Sequence, residues 1–332
     1  MKKVFYIVYL LLFVPALLLQ SCDRGDDPGE EIATPAFSLM KDYMVSNNLD
    51  IDKILTSPSG AKFVAPPPAD ADLASFLVKY YMMDIRSAAD FAKGHIEGAK
   101  NVAFGNILTE AANSNGKPIL MICYTGQTAC YGTALLRLYG YSEAQALKWG
   151  MSGWNSTTAG SWNNNIGNEA NGHANWSYSA APANQVYKDP IINSFSQDGA
   201  AILKARVEQV VSEGFKTVKG TDVLNSPSNY FINNYFSDAD YSAFGHIADA
   251  NKILPWVLAD NSYLAFDPDT NAKIATYCYT GQTSAVLTAC MRVLGYDAYS
   301  LTFGMNGLYN SNSAWTSNKW SESVPKNLPL VN

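Results

Sequence analysis

Cys123-Tyr-Thr-Gly-Gln-Thr128 occurs a second time as Cys278-Tyr-Thr-Gly-Gln-Thr283, so six identical residues recur after 278 − 123 = 155 positions. In each copy a short apolar run precedes the cysteine, and apolar residues with helical spacing follow the last threonine. This order predicts a buried strand, a glycine-containing loop and a helix. The start of a helix offers free N–H groups that favour an anion. We therefore predict that each loop holds its cysteine as a thiolate.

Other short segments recur at similar offsets. Gly94-His-Ile96 corresponds to Gly245-His-Ile247, and Gly150-Met-Ser-Gly153 corresponds to Gly304-Met-Asn-Gly307. A chain of 332 residues suits two domains of about 150 residues each. The matched segments therefore predict a duplicated α/β fold, in which each half is a mainly parallel sheet flanked by helices.

The pattern along the chain predicts individual elements between these segments. Ser87 is the expected N-cap of a short helix that reaches Phe91, and Gly140 suits the end of the helix after the first loop. Residues 161–190, rich in Asn, Ser, Gly and Ala, are expected to form a linker with a few packed aromatic anchors. We predict helices over 35–47, 128–139 and 200–211, and strands over 80–83, 101–103, 118–122 and 144–149.

The composition excludes some classes of function. With 48% hydrophobic residues, 16% charged residues and a net charge of −6, the chain is typical of a globular protein without a nucleic-acid-binding face. The cysteines and histidines do not have the spacing of a metal site, and we expect neither a metal nor another cofactor.

The first residues indicate an export signal. Lys2 and Lys3 precede an apolar stretch over residues 4–19, followed by Gln20-Ser21-Cys22, which resembles a bacterial lipoprotein signal. An uncleaved anchor helix is the alternative, but Pro15 interrupts a stretch already shorter than the roughly 20 residues that a span needs. We therefore predict a signal peptide over 1–21, lipidation at Cys22 and an acidic tether over 22–36. The expected location is the bacterial cell envelope, periplasmic or at the cell surface, with the lipid anchor as the only membrane contact.

Two further cysteines do not follow the repeat. Cys130 lies seven residues after Cys123, whereas Cys290 lies twelve residues after Cys278. Because these positions are not equivalent, both are best interpreted as small buried apolar side chains. A resolving role for Cys130 remains open.

Several signatures together resemble the rhodanese family. They are Asp84-Ile-Arg86, the run from Asp90 to Ile96, the cysteine-initiated loop and the final Gly-Met-Ser-Gly segment. The resemblance covers about residues 37–160 and 195–315, so the expected domains are 37–160 and 191–332. In the second half the Asp-x-Arg pair is missing, because residues 234–237 read Asn-Tyr-Phe-Ser. The resemblance implies sulfurtransferase activity, in which sulfane sulfur moves from a small donor to a thiol or cyanide-type acceptor through a cysteine persulfide.

The resemblance and the loop chemistry select the same candidate residues. Cys123 and Cys278 are the expected nucleophiles. The residues expected to cradle the persulfide are Tyr124, Thr125, Gly126, Gln127 and Thr128, with Tyr279, Thr280, Gly281, Gln282 and Thr283 in the second copy. The glycines allow a positive φ or a close backbone approach. The four threonines can donate to the sulfur, cap the helix or do both, and capping is considered especially for Thr128 and Thr283.

Nearby polar and aromatic residues are expected to be structural. His95 and His246 lie in turns far from the cysteines in sequence, and Arg86 is interpreted as the partner of a nearby carboxylate. For the tryptophans, Trp149, Trp154, Trp162 and Trp315, packing is the expected role.

Three other functions are open to the same residues. A non-catalytic sulfur-binding or sensing module would use the same loops, and a redox role would pair Cys123 with Cys130. A phosphatase on a related fold would need an arginine that closes a longer loop, whereas the first arginines after the two loops are Arg137 and Arg292.

The loops also predict a donor preference. Neither contains a cation, and in this respect they resemble the neutral loops of mercaptopyruvate sulfurtransferases, although Tyr124 and Tyr279 replace a small residue. A dianion entering a dehydrated pocket needs paired charge. We therefore expect persulfide, polysulfide or mercaptopyruvate-like donors to outperform thiosulfate, and Cys123 to be the better nucleophile.

Overall fold

Two parallel sheets organise the computed structural model, which describes residues 35–269, 271 and 273–332. The first sheet has the strand order β1-β5-β4-β2-β3 and the second has β7-β11-β10-β8, while β6 and β9 form a separate antiparallel pair. The strands are β1 (Val64–Ala65), β2 (Tyr81–Asp84), β3 (Lys100–Asn101), β4 (Ile119–Ile122), β5 (Gln145–Leu147), β6 (Trp176–Ser177), β7 (Thr217–Val218), β8 (Phe231–Asn234), β9 (His246–Ile247), β10 (Ile274–Tyr277) and β11 (Ala298–Leu301).

Helices flank both sheets, which confirms the predicted α/β class. The α-helices are α1 (Ala36–Ser46), α2 (Ile51–Ile54), α3 (Leu73–Lys79), α4 (Ala88–Lys93), α5 (Ile107–Ala111), α6 (Gln127–Leu138), α7 (Gly150–Trp154), α8 (Gly160–Asn163), α9 (Gly199–Glu213), α10 (Gly220–Asn225), α11 (Asp238–Phe244), α12 (Gln282–Val293) and α13 (Gly304–Tyr309). Short 3₁₀ turns cover Asp70–Asp72, Phe104–Asn106, Ala112–Ser114, Ser156–Thr158, Pro227–Asn229 and Ser262–Ala265.

The strands that precede the two cysteines lie inside their sheets. All four residues of β4 are buried, and Met121 pairs with Met83 of β2 on one side and with Ala146 of β5 on the other. All four residues of β10 are buried as well. A parallel strand covered on both faces has no polar side, which explains the unbroken apolar run before Cys123.

The two sheets correspond strand by strand except at one edge. In the first sheet β3 pairs with β2 through Lys100 and Asn101. In the second sheet the same edge of β8 carries only a single parallel bridge, between Asn233 and Asn251. The second sheet is therefore one strand narrower.

Most predicted elements occur with small shifts at their ends. The helix predicted over 35–47 is α1, and the Ser87 side chain accepts the N–H of Asp90 to cap α4. The strand predicted over 144–149 is shorter, because Trp149 has a φ of +65°, which extended backbone does not adopt.

Each end of the described chain contacts the opposite half of the protein. Helix α1, assigned by sequence to the first domain, packs on α9 of the second half. Near the other end, Val331 forms an antiparallel bridge with His95 of the first half. Residues 35–332 form one compact unit, and the boundaries at 160 and 190 remain predictions.

The predicted linker carries structure of its own. It overlaps α8 and contains β6, and Trp162 within it is fully buried. The predicted signal peptide and Cys22 lie outside the described residues. Among helices of residues 35–269, 271 and 273–332, none combines the length and the apolar character needed to cross a membrane.

Candidate active site

The repeated loops occupy equivalent positions at the carboxyl edges of the two sheets. Cys123 directly follows β4 and α6 begins at Gln127, whereas Cys278 follows β10 and α12 begins at Gln282. Both cysteines are free thiols, with only 3% and 2% of their surface exposed. The strand, loop and helix order predicted from the hexapeptide is therefore confirmed.

Each loop is hydrogen-bonded to the short helix that follows the next strand, which is α7 in the first half and α13 in the second. In the first half, Met151 N–H donates to the Cys123 carbonyl at 2.8 Å, and Ser152 Oγ donates to the Tyr124 carbonyl, also at 2.8 Å. A Cβ added to Gly150 would lie 2.4 Å from the Cys123 oxygen, so only glycine fits. Met305, Asn306 and Gly304 make the corresponding contacts with the second loop. These contacts engage loop carbonyl groups and leave loop N–H groups free to face the sulfur.

The two sulfur atoms receive different donors. Cys123 Sγ accepts the N–H of Gly126 at 3.1 Å and the N–H of Ala129 at 3.3 Å. Cys278 Sγ accepts the N–H of Ser284 at 3.4 Å, and the Ser284 hydroxyl lies 3.8 Å away. Ser284 occupies the position of Ala129 in the repeat, so the second site uses a hydroxyl where the first has a methyl group.

Burial and hydrogen bonding have opposite effects on the charge state expected for Cys123. Burial raises the pKa of the Cys123 thiol above its ordinary value of 9.0, although N–H groups of Ala129, Thr125 and Gly126 act in the opposite direction. A sulfur that is almost entirely removed from water loses more solvation as an anion than these donors return. In the closed loop, burial therefore opposes the predicted thiolate of Cys123, whereas the loop N–H groups favour it.

The loop tyrosines bond to aspartates of neighbouring helices. Tyr124 donates to Asp90 Oδ2 at 2.7 Å, and Tyr279 donates to Asp240. Each aspartate lies in the first turn of a helix capped by a serine. The hydrogen bonds from Lys93, Tyr124 and Ser87 lower the pKa of Asp90 and so favour its carboxylate form, which accepts them. The tyrosine hydroxyls thus tie the loops to neighbouring helices.

The threonines divide into two pairs. Thr125 Oγ1 accepts from the Gln127 N–H at 3.5 Å, and Thr280 Oγ1 accepts from the Gln282 N–H at 3.2 Å. Because α6 and α12 begin at these glutamines, Thr128 and Thr283 lie within the first turn. The N-cap residues are Gly126 and Gly281, which have no side chain to cap with, so the capping role considered for Thr128 and Thr283 does not occur.

Each loop glycine faces the glutamine of the opposite loop. Gly126 and Gly281 have φ values of +86° and +74°, as the sequence predicts. A Cβ on Gly126 would lie 3.1 Å from Gln282 Nε2, and a Cβ on Gly281 would lie 2.3 Å from Gln127 Oε1. Both glutamines are buried. Glycine is therefore required at these positions for two reasons: its backbone adopts a positive φ, and it leaves room for the glutamine of the opposite loop.

The glutamines also bond across the boundary between the halves. Gln127 Oε1 accepts the N–H of Phe303 at 2.8 Å, and Gln282 Nε2 donates to the Thr125 carbonyl at 3.4 Å. Helices α6 and α12 pack side by side behind them. Each cysteine loop consequently covers the other and shields it from solvent, which explains the low exposure of both sulfur atoms.

An aromatic cluster, formed by Trp149, Trp162, Phe303 and Trp320, adjoins this contact. The rings of Trp162 and Trp320 stack at 5.2 Å, and Trp162 Nε1 donates to the Thr125 carbonyl at 3.1 Å. The packing role expected for Trp149 and Trp162 is confirmed. Trp320 was missed, since it lies after the last repeated segment.

The remaining tryptophans and the histidines also have structural contacts. Trp154 packs near Phe76 at 5.8 Å, and Trp315 lies 4.9 Å from the Phe244 ring. His95 Nδ1 lies 3.0 Å from the Phe91 carbonyl, and His246 contacts two carbonyl oxygens, each at 2.9 Å. These contacts agree with the structural roles expected from sequence.

Different interactions stabilise the ends of β2 in the first half and β8 in the second. Arg86 forms a two-pronged ion pair with Asp84, at 3.0 Å from Nε to Oδ1 and 2.7 Å from Nη2 to Oδ2, with both side chains buried. In the second half Asn234 donates to the Tyr277 hydroxyl at 2.8 Å, and the Phe236 ring stacks on Tyr279 at 4.3 Å. Aromatic packing therefore replaces the ion pair that the second half lacks.

The other two free cysteines are fully buried, as expected for small apolar side chains. Cys130 lies on α6 and Cys290 on α12. Within the part of the chain that the structure describes, no three His, Cys, Asp or Glu side chains are grouped as a metal site requires.

The closed loops predict slow thiol modification. Replacing Gln127 by alanine removes its bond to Phe303, and we expect the alkylation rate of the loop cysteines by iodoacetamide to rise between about two- and tenfold. Because the thiolate is the reactive form and the pKa of Cys123 is raised, the rate at Cys123 should still be increasing above pH 9.0. The measurement is peptide mass spectrometry after timed labelling. Gln209→Ala, on the exposed face of α9, is the control, and equal rates in both variants would contradict the closure.

Comparisons with known proteins agree with this geometry in the first half. Residues 69–157 match the family described as the rhodanese-like domain. The thiosulfate sulfurtransferase GlpE of Pseudomonas putida strain GB-1 is 31% identical over 77 residues, which are 23% of this chain and 70% of that protein. GlpE of Pseudomonas fluorescens strain SBW25 is 33% identical over 78 residues, with coverages of 23% and 71%.

Solved structures of larger proteins align over most of the chain at low identity. A thiosulfate sulfurtransferase from Pseudomonas aeruginosa is 14% identical, with a TM-score of 0.28, and the alignment covers 86% of this chain and 49% of that protein. A 3-mercaptopyruvate sulfurtransferase from Leishmania major is 11% identical, with a TM-score of 0.28 and coverages of 80% and 78%.

Proposed function

Because this chain belongs to the rhodanese-like domain family, we propose that it is a sulfurtransferase that carries sulfane sulfur as a cysteine persulfide. The observation that supports this most directly is the placement of Cys123. Its sulfur lies at the carboxyl end of β4 and accepts N–H groups from Gly126 and Ala129. An outer persulfide sulfur carries a negative charge, which these N–H groups and the start of α6 favour.

The proposed reaction has two displacement steps. After the thiol proton is lost to solvent, the thiolate attacks the outer sulfur of the donor. In thiosulfate the S–S bond breaks and sulfite leaves with the electron pair; in 3-mercaptopyruvate the C–S bond breaks, and the pyruvate enolate leaves and takes a proton. An acceptor thiolate then attacks the outer persulfide sulfur, which regenerates the cysteine thiolate and forms a new persulfide. The cross-loop contact must open for both steps, since the resting sulfur atoms are buried.

We extend the proposal to the second half of the chain. Cys278 follows the equivalent central strand, its loop has the same six residues, and Met305 and Asn306 bond its loop carbonyls as Met151 and Ser152 do in the first loop. These parallels support a second rhodanese-like domain with its own persulfide site.

Intact-protein mass spectrometry tests the proposal. After incubation with thiosulfate or 3-mercaptopyruvate and removal of the donor, we expect one or two added sulfur atoms that a thiol reagent releases. Tryptic peptides should place them on Cys123 and Cys278. Stable loading without release to any thiol acceptor would instead favour a sulfur-binding or sensing module, and no loading at either cysteine would refute the proposal.

We also propose that the protein is a lipoprotein of the bacterial cell envelope. The basic start, the apolar stretch over 4–19 and Cys22 support this, together with the acidic residues that follow. The same mass measurement on protein extracted from membranes should show cleavage before Cys22 and attached acyl chains. An unmodified, full-length chain would contradict it.

A further inference from the structure

A small cavity adjoins the second loop. Its volume is about 170 Å³, and Thr280, Gln282 and Thr283 form one wall. Cys130 of α6 and Lys148 contribute from the first half. At ~30 Å³ per water molecule, the space corresponds to roughly five or six waters, which suits a small anion.

Lys148 brings an uncompensated positive charge to this cavity. Its Nζ donates to Asn318 Oδ1 at 3.1 Å and lies 5.7 Å from the centre of the Trp149 ring. Among residues 35–269, 271 and 273–332, Lys148 forms no ion pair with a carboxylate. Burial, and then the charge of Lys62, lower the pKa of Lys148. A bound anion would supply the missing countercharge.

The first loop has no corresponding lysine in the repeat. Trp149 matches Phe303, since both have a positive φ and each precedes the glycine that supports its loop. The residue before Trp149 is Lys148, whereas the residue before Phe303 is Thr302. The charge at this position is therefore present beside the second loop only.

Resting on the sulfur transfer proposed above, we propose that Lys148 of the first half makes the cavity a docking site for small anionic sulfur donors, and so gives the second loop the cation that its sequence lacks. A donor such as thiosulfate binds with its oxyanion at the Lys148 ammonium, beside Thr280 and Thr283 of the loop that contains Cys278. The expectation that low-charge donors are preferred then applies to Cys123 alone.

The physical reason is the cost of removing an anion from water. A dianion loses much of its hydration in a confined site, and a charged hydrogen bond offsets part of that loss. Thr283 lies on the cavity wall and its hydroxyl can donate a further hydrogen bond to the same anion. Lysine is suited to this role because it binds oxyanions as a point charge without a fixed bidentate geometry.

Direct binding tests the site without any chemistry. In the chain carrying both Cys123→Ser and Cys278→Ser, thiosulfate binding is measured by calorimetry. Adding Lys148→Gln should raise the Kd about tenfold, the loss expected for one charged hydrogen bond, and Lys148→Arg should restore most of the affinity. Lys62→Gln removes the same charge from a nearby exposed position and should change the Kd by less than about twofold.

Steady-state kinetics assign the site to one loop. In Cys123→Ser, only Cys278 can react. There Lys148→Gln should raise KM for thiosulfate with little change in kcat, because the lost interaction stabilises the bound donor and the transition state equally. In Cys278→Ser, the same substitution should leave KM unchanged. An equal effect in both backgrounds, or an unchanged Kd in the binding experiment, would overturn the inference. Lysine-dependent binding without sulfur transfer by the wild type would refute the proposed function and leave the anion site standing.

Discussion

Replacing both Cys123 and Cys278 by serine should lower kcat/KM for sulfur transfer at least about a thousandfold, because the persulfide intermediate can then form at neither loop. The assay uses 3-mercaptopyruvate as donor and a dithiol as acceptor, and follows the release of pyruvate. Of the single variants, Cys123→Ser should lose more of this activity. Its sulfur accepts two backbone N–H groups, whereas that of Cys278 accepts one.

Cys290→Ala provides the matched control for that series. Cys290 is also a free, buried cysteine of the second half, but it lies within α12 and away from the start of the helix. Its replacement should leave kcat/KM within about twofold of the wild type, given that residues without contact to the reacting atoms act only through folding. Activity that survives the double serine substitution would exclude a persulfide on either loop.

Replacing Arg86 by alanine should lower the free energy of unfolding by about 3–5 kcal/mol, the usual cost of leaving one member of a buried ion pair without its partner. Asp84 is fully buried beside the central strand, and Arg86 neutralises it through hydrogen bonds from Nε and Nη2. The measurement is urea denaturation followed by tryptophan fluorescence. Lys93→Ala removes an exposed ion pair to Asp90 and should have little effect.

The second half of the chain suggests the compensating change. Asp84→Asn combined with Arg86→Phe reproduces Asn234 and Phe236. We expect it to recover part of the stability lost in Arg86→Ala, because it removes the buried charge but leaves the new amide beside Ile122, where the second half has the Tyr277 hydroxyl. The asparagine oxygen can still accept the N–H of residue 86, which bonds Asp84 Oδ1 at 3.0 Å in the wild type. The phenyl ring can pack on Tyr124 as Phe236 packs on Tyr279. If the double variant is as unstable as Arg86→Ala, the ion pair has a role that packing cannot replace.

The local structure of the loops could be read from the sequence. The apolar run to Ile122, the glycine at 126 and the helical spacing that follows depend on residues only a few positions apart, and each has a strong conformational preference. The same holds for Ser87 at the start of α4 and for the positive φ of Gly126 and Gly281. The repeat then placed both cysteines at equivalent points of two parallel sheets.

The electrostatics and access of the candidate site depend on tertiary structure. The raised pKa of Cys123 follows from complete burial, which the packing of the opposite loop produces. Gln127 accepts a hydrogen bond from Phe303, and Lys148 lines the same cavity as residues of the second loop. Each pair is more than 100 residues apart in sequence. Local propensity contains no information about such pairs, because it does not specify how two amphipathic elements are placed against each other. Sequence thus determined the residues and backbone of each loop, whereas the contact between the halves decided the exposure of both sulfur atoms, the raised pKa of Cys123 and the position of Lys148 beside the second loop.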